Sequence, residues 1–481
     1  MTVRRLLGSA LSALMLSAGV SAVAHADAAS PTVSGPVTGG NGAPVLVGHT
    51  TFDLASVGYT QSEFFLEGTA DAYAPTASLA EDGKWEVEPS SQASYKTRVV
   101  VNRPVDERDF NGTVIVEWLN VSGGADASPD WIQAHVELIR DGYAWVGVSA
   151  QAVGVNALSP ADPVRYASLT HPGDSYSYDM FSQAGQAIRD DAATILGGLR
   201  PDHVIAVGES QSAIRFVTYI NAVHPLVDVY DGFLVHSRFA GGAPLSQAPL
   251  PNVPTPAPSF IRDDLAVPVL VFQTEGDTGG LPARQADGPL FRLWEVAGTA
   301  HFDLYGLQIG ATDTGGRQSV AAWFDSMLRP TNQPIPGFTC DSPINTGPQT
   351  FVLRAAIAAL NAWVADGTPP PEAPRLETIS LQPLEYALDG NGNVRGGIRT
   401  PTVDAPVATL SGLGQSGSPF CFLFGTTTPL TPEQLREQHR NHGGFVSAWN
   451  QATQDAVQAG FLRPEDARFI RVVGAQADLP Q

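Results

Sequence analysis

From Tyr95 onward, short runs of β-branched and aliphatic residues alternate with longer stretches in which apolar residues recur every three or four positions. That alternation marks a mostly parallel sheet covered by helices. The runs predict strands over Thr97–Asn102, Thr113–Trp118, Ala144–Ser149, His203–Gly208, Gly232–His236, Pro268–Gln273 and Arg292–Val296. Their density of Val, Ile, Leu and Phe is that of strands buried on both faces. Helical periodicity predicts helices over Asp130–Asp141, Ser182–Leu199, Gln211–His224 and Phe351–Asp366, the last ended by Gly367 and Pro369. Two stretches lack a regular period: Ala152–Met180, rich in Ser, Tyr, Asp and Pro, and Arg238–Val267, with Pro244, Pro249, Pro251, Pro254, Pro256 and Pro258. Loops of that length inside a compact domain are usually lids or pocket walls. Beyond Pro374 the pattern predicts a β-rich piece with a turn at Asp389-Gly390-Asn391-Gly392, then a polar helical segment near Thr431–Ala459. The expected organisation is a β-rich segment at 27–94, a core at 95–374 with insertions at 152–180 and 238–267, and an extension at 375–481 packed on that core.

Composition narrows the possibilities. A chain of 481 residues with 43% hydrophobic content can bury a large core, which excludes disorder as its main state. Its 48 glycines, 38 prolines and only 16% charged residues describe a loop-rich chain. The 27 basic residues against 48 acidic ones give a net charge of -21, which repels phosphate backbones and anionic lipid. A nucleic-acid binder and a polybasic membrane anchor are thereby excluded. Arg4 and Arg5, an apolar run from Leu6 to Val23 and the small-residue site Ala24-His25-Ala26 read as a signal peptide over 1–26, cleaved after Ala26. The mature protein is therefore expected to be secreted, with no membrane insertion after cleavage. The paired arginines also admit the twin-arginine route, although Val3 stands where that signal carries Ser or Thr. In an oxidising compartment Cys340 and Cys421, the only cysteines, are expected to form a disulfide.

The strongest chemical signal is the strand His203–Gly208 running through Glu209-Ser210-Gln211-Ser212 into a helix. A serine hydroxyl is a poor nucleophile, and a sharp strand-to-helix turn exposes it at the sheet edge beside the N-terminus of a helix. Ser212 stands where the common Gly-x-Ser-x-Gly turn has its second glycine, and is small enough to replace it. Downstream, the strand Pro268–Gln273 is followed by Glu275 and Asp277, and the strand Arg292–Val296 by His301. The chain order Ser, acid, His, each after its own strand, fits a nucleophile, an orienting acid and a general base. Ser210, Asp277 and His301 are the expected catalytic residues, with Glu275 as the alternative acid. The amides of Gln211 and Val121 are the expected oxyanion donors, and Asn120, Glu209 and His236 are expected to line the substrate site. A non-catalytic reading, a serine capping a buried strand–helix unit, competes with this one on the motif alone.

Other signals carry less. Asp389-Gly390-Asn391-Gly392-Asn393 begins like a calcium loop, but Val394 and Thr400 occupy the positions that need glycine and glutamate, so a hairpin turn is expected. His439 and His442 lack a third ligand and are expected to be solvated; no metal is expected. Asn111-Gly112-Thr113 and Asn120-Val121-Ser122 match the glycosylation pattern, the second inside the presumed oxyanion loop, where a glycan would block the site.

The segments Val116–Gly124, Gly208–Ser212, Trp294–His301 and Gly396–Pro401 resemble those of secreted bacterial α/β-hydrolase-domain proteins, an esterase-like family. The resemblance spans most of the mature chain. It implies an α/β-hydrolase fold and a Ser-His-acid esterase without a dissociable cofactor, and it names no substrate. The resulting expectation is a secreted carboxylic-ester hydrolase acting on a small-molecule ester through an acyl-enzyme. A peptidase or amidase on the same residues, and a surface binding module with a vestigial triad, are the alternatives.

Overall fold

The computed structural model describes residues 28–479. The leader expected over 1–26 lies outside the described residues. A single sheet of nine strands runs in the order β1-β2-β3-β5-β4-β6-β7-β8-β9. Its strands are β1 (Thr32–Ser34), β2 (Tyr59–Pro75), β3 (Val87–Pro104), β4 (Thr113–Trp118), β5 (Ala144–Val148), β6 (His203–Glu209), β7 (Gly232–His236), β8 (Val269–Thr274) and β9 (Phe291–Val296). Strands β1 to β3 form an antiparallel ribbon that joins β5 antiparallel, and from β5 through β9 every pairing is parallel. The sheet is thus mostly parallel, as the runs of apolar residues predicted.

Alternation along the strands divides the core in two. Val204 and Ala206 of β6, Phe233 and Val235 of β7 and Val269 and Val271 of β8 face one layer, built with helices α3 (Ser177–Asp190) and α4 (Gln211–Thr218). Ile205, Val207, Leu234, Leu270 and Phe272 face the other, built with α1 (Pro129–Arg140) and α6 (Gln349–Asp366). Both faces of every central strand are dry, so slipping one residue in register would exchange two complete hydrophobic sets.

The structure corrects several expectations. Ala152–Met180 is not irregular: α2 spans Ala152–Ala161, a further turn covers Pro163–Tyr166, and α3 starts at Ser177. The helix expected over Ser182–Leu199 ends at Asp190, with a separate turn at Ala192–Ile195. The one expected over Gln211–His224 is α-helical only to Thr218, then widens into a π turn over Tyr219–Val223. Arg238–Val267 holds no helix or strand, and its root is fastened by the Arg238 guanidinium, which donates to the carbonyls of Phe239, Ala240 and Ser259.

The C-terminal residues pack against the core. Helices α7 (Pro432–His439), α8 (His442–Gln458) and α9 (Pro464–Ala475) bury Leu435, Phe445, Trp449 and Ile470 against Trp323, Phe324 and Met327 of α5 (Arg317–Leu328) and Phe351 of α6. The polar segment expected near Thr431–Ala459 is broken at Arg440, which has φ 64°, and α9 had no counterpart in the sequence pattern. Arg354, buried in α6, bonds Asp466 of α9 and Asp313 at 3.1 and 3.2 Å. A disulfide joins Cys340 to Cys421 and packs with Leu304, Ile344 and Phe424. Among the described residues no helix is long and apolar enough to cross a membrane.

Candidate active site

Strand β6 ends in a turn that places Ser210 at φ 58° and ψ -113°. A non-glycine residue there stores strain of about 1–3 kcal/mol, so the surrounding structure must hold it. Holding it are a hydrogen bond from the Ser210 amide to the His236 carbonyl, 2.8 Å, and the start of α4, where the Ile214 amide donates to the Ser210 carbonyl. Gly208 leaves the necessary room, since a Cβ there would come within 2.8 Å of the Phe216 ring and 3.1 Å of Ser212 Cβ. Ser212 is fully buried in that crowded turn, which accounts for a small residue where a glycine is common.

The turns after β8 and β9 bring the other two groups to this serine. His301 Nε2 lies 2.7 Å from Ser210 Oγ and Nδ1 lies 2.5 Å from Asp277 Oδ1. With the neutral imidazole protonated on Nδ1, Nδ1–H donates to Asp277 and Nε2 accepts from the serine hydroxyl. The second oxygen of Asp277 accepts from the Thr274 amide at 2.6 Å and from Ser237 Oγ at 2.7 Å. Burial pushes the Asp277 carboxyl up, but the His301 charge and these donors outweigh it and hold it below the usual carboxylate range. Burial pushes His301 down, and Asp277 together with Glu209 overcomes that and lifts it to about 9.

Glu275, the alternative acid, turns away from the imidazole. Its carboxylate accepts from the amides of Gly298 and Gly412, both at 2.9 Å, and from Ser411 Oγ at 3.0 Å. Burial raises it to about 7 against those donors. It therefore ties the loop carrying His301 to the C-terminal hairpin strand Ala408–Ser411.

The residues expected to line the site divide. Glu209 reaches it, with Oε1 3.2 Å from His301 Nε2. Asn120 is buried and donates from Nδ2 to the Glu209 carbonyl at 3.1 Å and to Glu209 Oε2 at 3.3 Å. The loop after β4, which carries Val121, is thereby fastened to the serine turn, and neither the Val121 nor the Gln211 amide donates to an acceptor among the described residues. Burial also bars Asn120 from carrying a glycan. His236 lies behind the serine rather than facing outward: it is 1% exposed, with Nδ1 2.8 Å from Asp130 Oδ1 and Nε2 3.1 Å from the Gln349 side chain.

Two nearby residues gave no sequence signal. Ser237, at φ 57°, follows β7 and supports Asp277; a serine after a strand is too common to be read in advance. Phe239, 44% exposed, places its ring 6.1 Å from the His301 imidazole. Elsewhere, Asp389 Oδ1 accepts from the amides of Asn391 and Asn393, forming a turn of the expected kind. His439 is buried against Phe445 and bonded to the Pro406 carbonyl, not solvated as expected. Among the described residues no group of three or more His, Cys, Asp or Glu side chains is placed to hold a metal ion.

A family model described as Alpha/beta hydrolase domain matches residues 33–471. No curated protein matches the chain. Among solved structures, an α/β serine hydrolase without lid from Xanthomonas campestris is 15% identical, with 37% of this chain and 66% of that one covered and a TM-score of 0.24. The chain thus spans slightly less than two thirds of that protein's length. A fungal esterase from Rhizomucor miehei is 13% identical, with 47% and 73% covered and a TM-score of 0.24. An alpha-beta serine hydrolase homologue from Coxiella burnetii is 14% identical, with 43% and 85% covered and a TM-score of 0.27.

Proposed function

The chain belongs to the alpha/beta hydrolase domain family, and on that premise we propose that it is a secreted serine hydrolase of small-molecule carboxylic esters. The observation that carries this reading is the hydrogen-bonded line from Ser210 Oγ through His301 to Asp277, 2.7 and 2.5 Å long, built on a strained strand-to-helix turn. Export rests on the leader sequence over 1–26 together with the disulfide between Cys340 and Cys421.

In this reading Ser210 Oγ attacks the ester carbonyl while its proton passes to His301 Nε2. Asp277 holds the ring in the tautomer that can accept that proton and stabilises the imidazolium that results. The amides of Gln211 at the start of α4 and of Val121 receive the oxyanion. His301 then returns the proton to the departing alkoxide, leaving an acyl-Ser210 that water attacks by the same steps in reverse. Phe239 beside the imidazole gives the alcohol side of the substrate an apolar surface.

The test is hydrolysis of p-nitrophenyl acetate and butyrate by the purified protein and by Ser210→Ala. Turnover by the parent that falls to background in the variant is expected. Equal turnover by both would sink the serine mechanism, absence of turnover would favour a binding module, and cleavage of p-nitroanilides without esters would make the protein an amidase.

A further inference from the structure

We infer that Glu209 is a second partner of the His301 imidazole, competing with Ser210 for Nε2, so that it both stabilises the imidazolium and delays the appearance of the free base as pH rises. The inference rests on the esterase reading of Ser210, His301 and Asp277. Three observations carry it. Glu209 Oε1 is 3.2 Å from the same ring nitrogen that Ser210 Oγ meets at 2.7 Å. The carboxylate is held in that position, since Asn120 Nδ2 bonds both its Oε2 and its own backbone carbonyl. It is also dry, at 4% exposure, so water screens little of its charge.

The chemistry follows from what each protonation state does at Nε2. With Glu209 ionised and His301 neutral, a carboxylate oxygen faces the nitrogen lone pair and repels it. Protonating the ring turns that repulsion into attraction. Attack by Ser210 breaks its O–H bond, forms the bond from Oγ to the acyl carbon and puts the proton on Nε2, where Glu209 and Asp277 face the cation from opposite sides. The proton then leaves with the alkoxide as the C–O bond breaks. Glu209 therefore helps the transition state, but it also keeps the resting ring protonated to higher pH. The charged groups facing Glu209 are His301, His236, Asp130 and Asp277, and those facing His301 are Asp277 and Glu209. Burial lifts Glu209 to about 7 while the two histidines pull it down, and Asp277 first and Glu209 second lift His301 to about 9 against its own burial.

Glu209→Gln keeps the shape and removes the charge. Losing an opposite charge at this distance should lower the acid limb of kcat/KM on p-nitrophenyl acetate by about 1–3 pH units. Below that limb, activity relative to the plateau should rise about tenfold per unit, and the plateau itself should fall. Nuclear magnetic resonance titration of the His301 ring in a Ser210→Ala background reads the same shift without turnover, with and without Glu209→Gln. A Glu209 that only braces the Asn120 loop would change the melting temperature and leave the ring titration where it was, and coincident titrations overturn the inference. Should Glu209→Gln not fold, Glu209→Asp, which withdraws the charge by one methylene, must shift the ring in the same direction by less. Failure of the esterase reading would appear separately, as hydrolysis that survives Ser210→Ala.

Discussion

The assignment of Asp277 over Glu275 can be tested sharply, because the donors around each carboxylate dictate how an amide would lie in its place. Asp277 Oδ2 accepts from the Thr274 amide and Ser237 Oγ, so in Asp277→Asn the side-chain oxygen must take that side. The NH2 group then faces His301 Nδ1 at a site where the carboxylate oxygen lies 2.5 Å away. An NH2 can bond Nδ1 only if the ring carries its proton on Nε2, and that tautomer cannot accept from Ser210. By analogy with serine proteases, the wrong tautomer costs about 10⁴ in kcat, or about 5 kcal/mol of barrier. Glu275→Gln is predicted to behave differently. Both of its oxygens face N–H or O–H donors, so an NH2 on either side loses a bond and leaves a buried donor opposed to another. That costs about 1–3 kcal/mol of stability, with kcat falling much less than in Asp277→Asn. The assay is steady-state hydrolysis of p-nitrophenyl acetate beside a thermal melt for each variant. Asp277→Asn retaining activity within about tenfold, or folded Glu275→Gln losing as much as Asp277→Asn, would refute the reasoning; tenfold is only about 1.4 kcal/mol of barrier.

Three further outcomes are expected. Ser237→Gly relaxes a residue at φ 57° but deletes the hydroxyl that bonds Asp277, so the melting temperature should hold while kcat/KM drops by about tenfold, the worth of one hydrogen bond to a charged group. Cys340→Ser removes a cross-link between positions 81 apart in sequence, worth about 4 kcal/mol in the chain-entropy account. Both the melting temperature and kcat should fall, because the Phe302 amide next to His301 bonds the Leu423 carbonyl beside that disulfide. Burial raises Glu275 from 4.5 to about 7, so the folded state holds a proton the unfolded chain gives up. Its contribution is complete below pH 4.5 and lost as pH climbs through about 7, a swing of about 3 kcal/mol. Asp303, raised by burial to about 6, adds the same sign at lower pH. Melting temperature measured against pH should therefore fall from mildly acid to neutral solution, less steeply in Glu275→Gln.

What the sequence could announce follows from where its signals are strongest. Strands β4 and β7 match their predicted bounds residue for residue because strands buried on both faces read as unbroken apolar runs with sharp polar ends. The ribbon β2–β3 was foreseen only as a β-rich segment over 27–94 and the strand Thr97–Asn102, without its bounds. Its 17 and 18 residues mix Gly, Asp, Ser and Pro with apolar positions along an edge that is only partly covered. Helix α2 was hidden by Gly154, Asn156 and Pro160, whose intrinsic preferences oppose the helix that tertiary packing imposes. At the site, chain order pointed to Ser210, His301 and a choice of acids, and the structure brings Ser210, His301 and Asp277 within reach of one another, but order carries no direction. Glu275 and Asp277 share one turn and point to different partners, a distinction that depends on Gly412 and Ser411, more than 130 positions away.

The ends of β4, β6 and β8 gather Glu117, Glu209, Glu275 and Asp277, with Asp130 close by on α1, and burial penalises the charge of each of the first four. Three of these have two or more donors that do not titrate. Glu117 accepts from the amides of Asp130 and Trp131 and from the Trp145 ring, Glu275 from Gly298, Gly412 and Ser411, and Asp277 from Thr274 and Ser237 besides His301, whereas Asp130 has only the His236 ring. Beyond the His301 ring, Glu209 has the single amide of Asn120 on its carboxylate. Burial opposes its ionisation most strongly, and His301 is the foremost group favouring it, the group that gains a proton in the proposed mechanism. Evenly spread donors would have fixed the charge of Glu209 and made it a constant background to the reaction. Their scarcity there, beside the provision for Glu117, Glu275 and Asp277, leaves the imidazole as the foremost partner favouring the ionised form of Glu209.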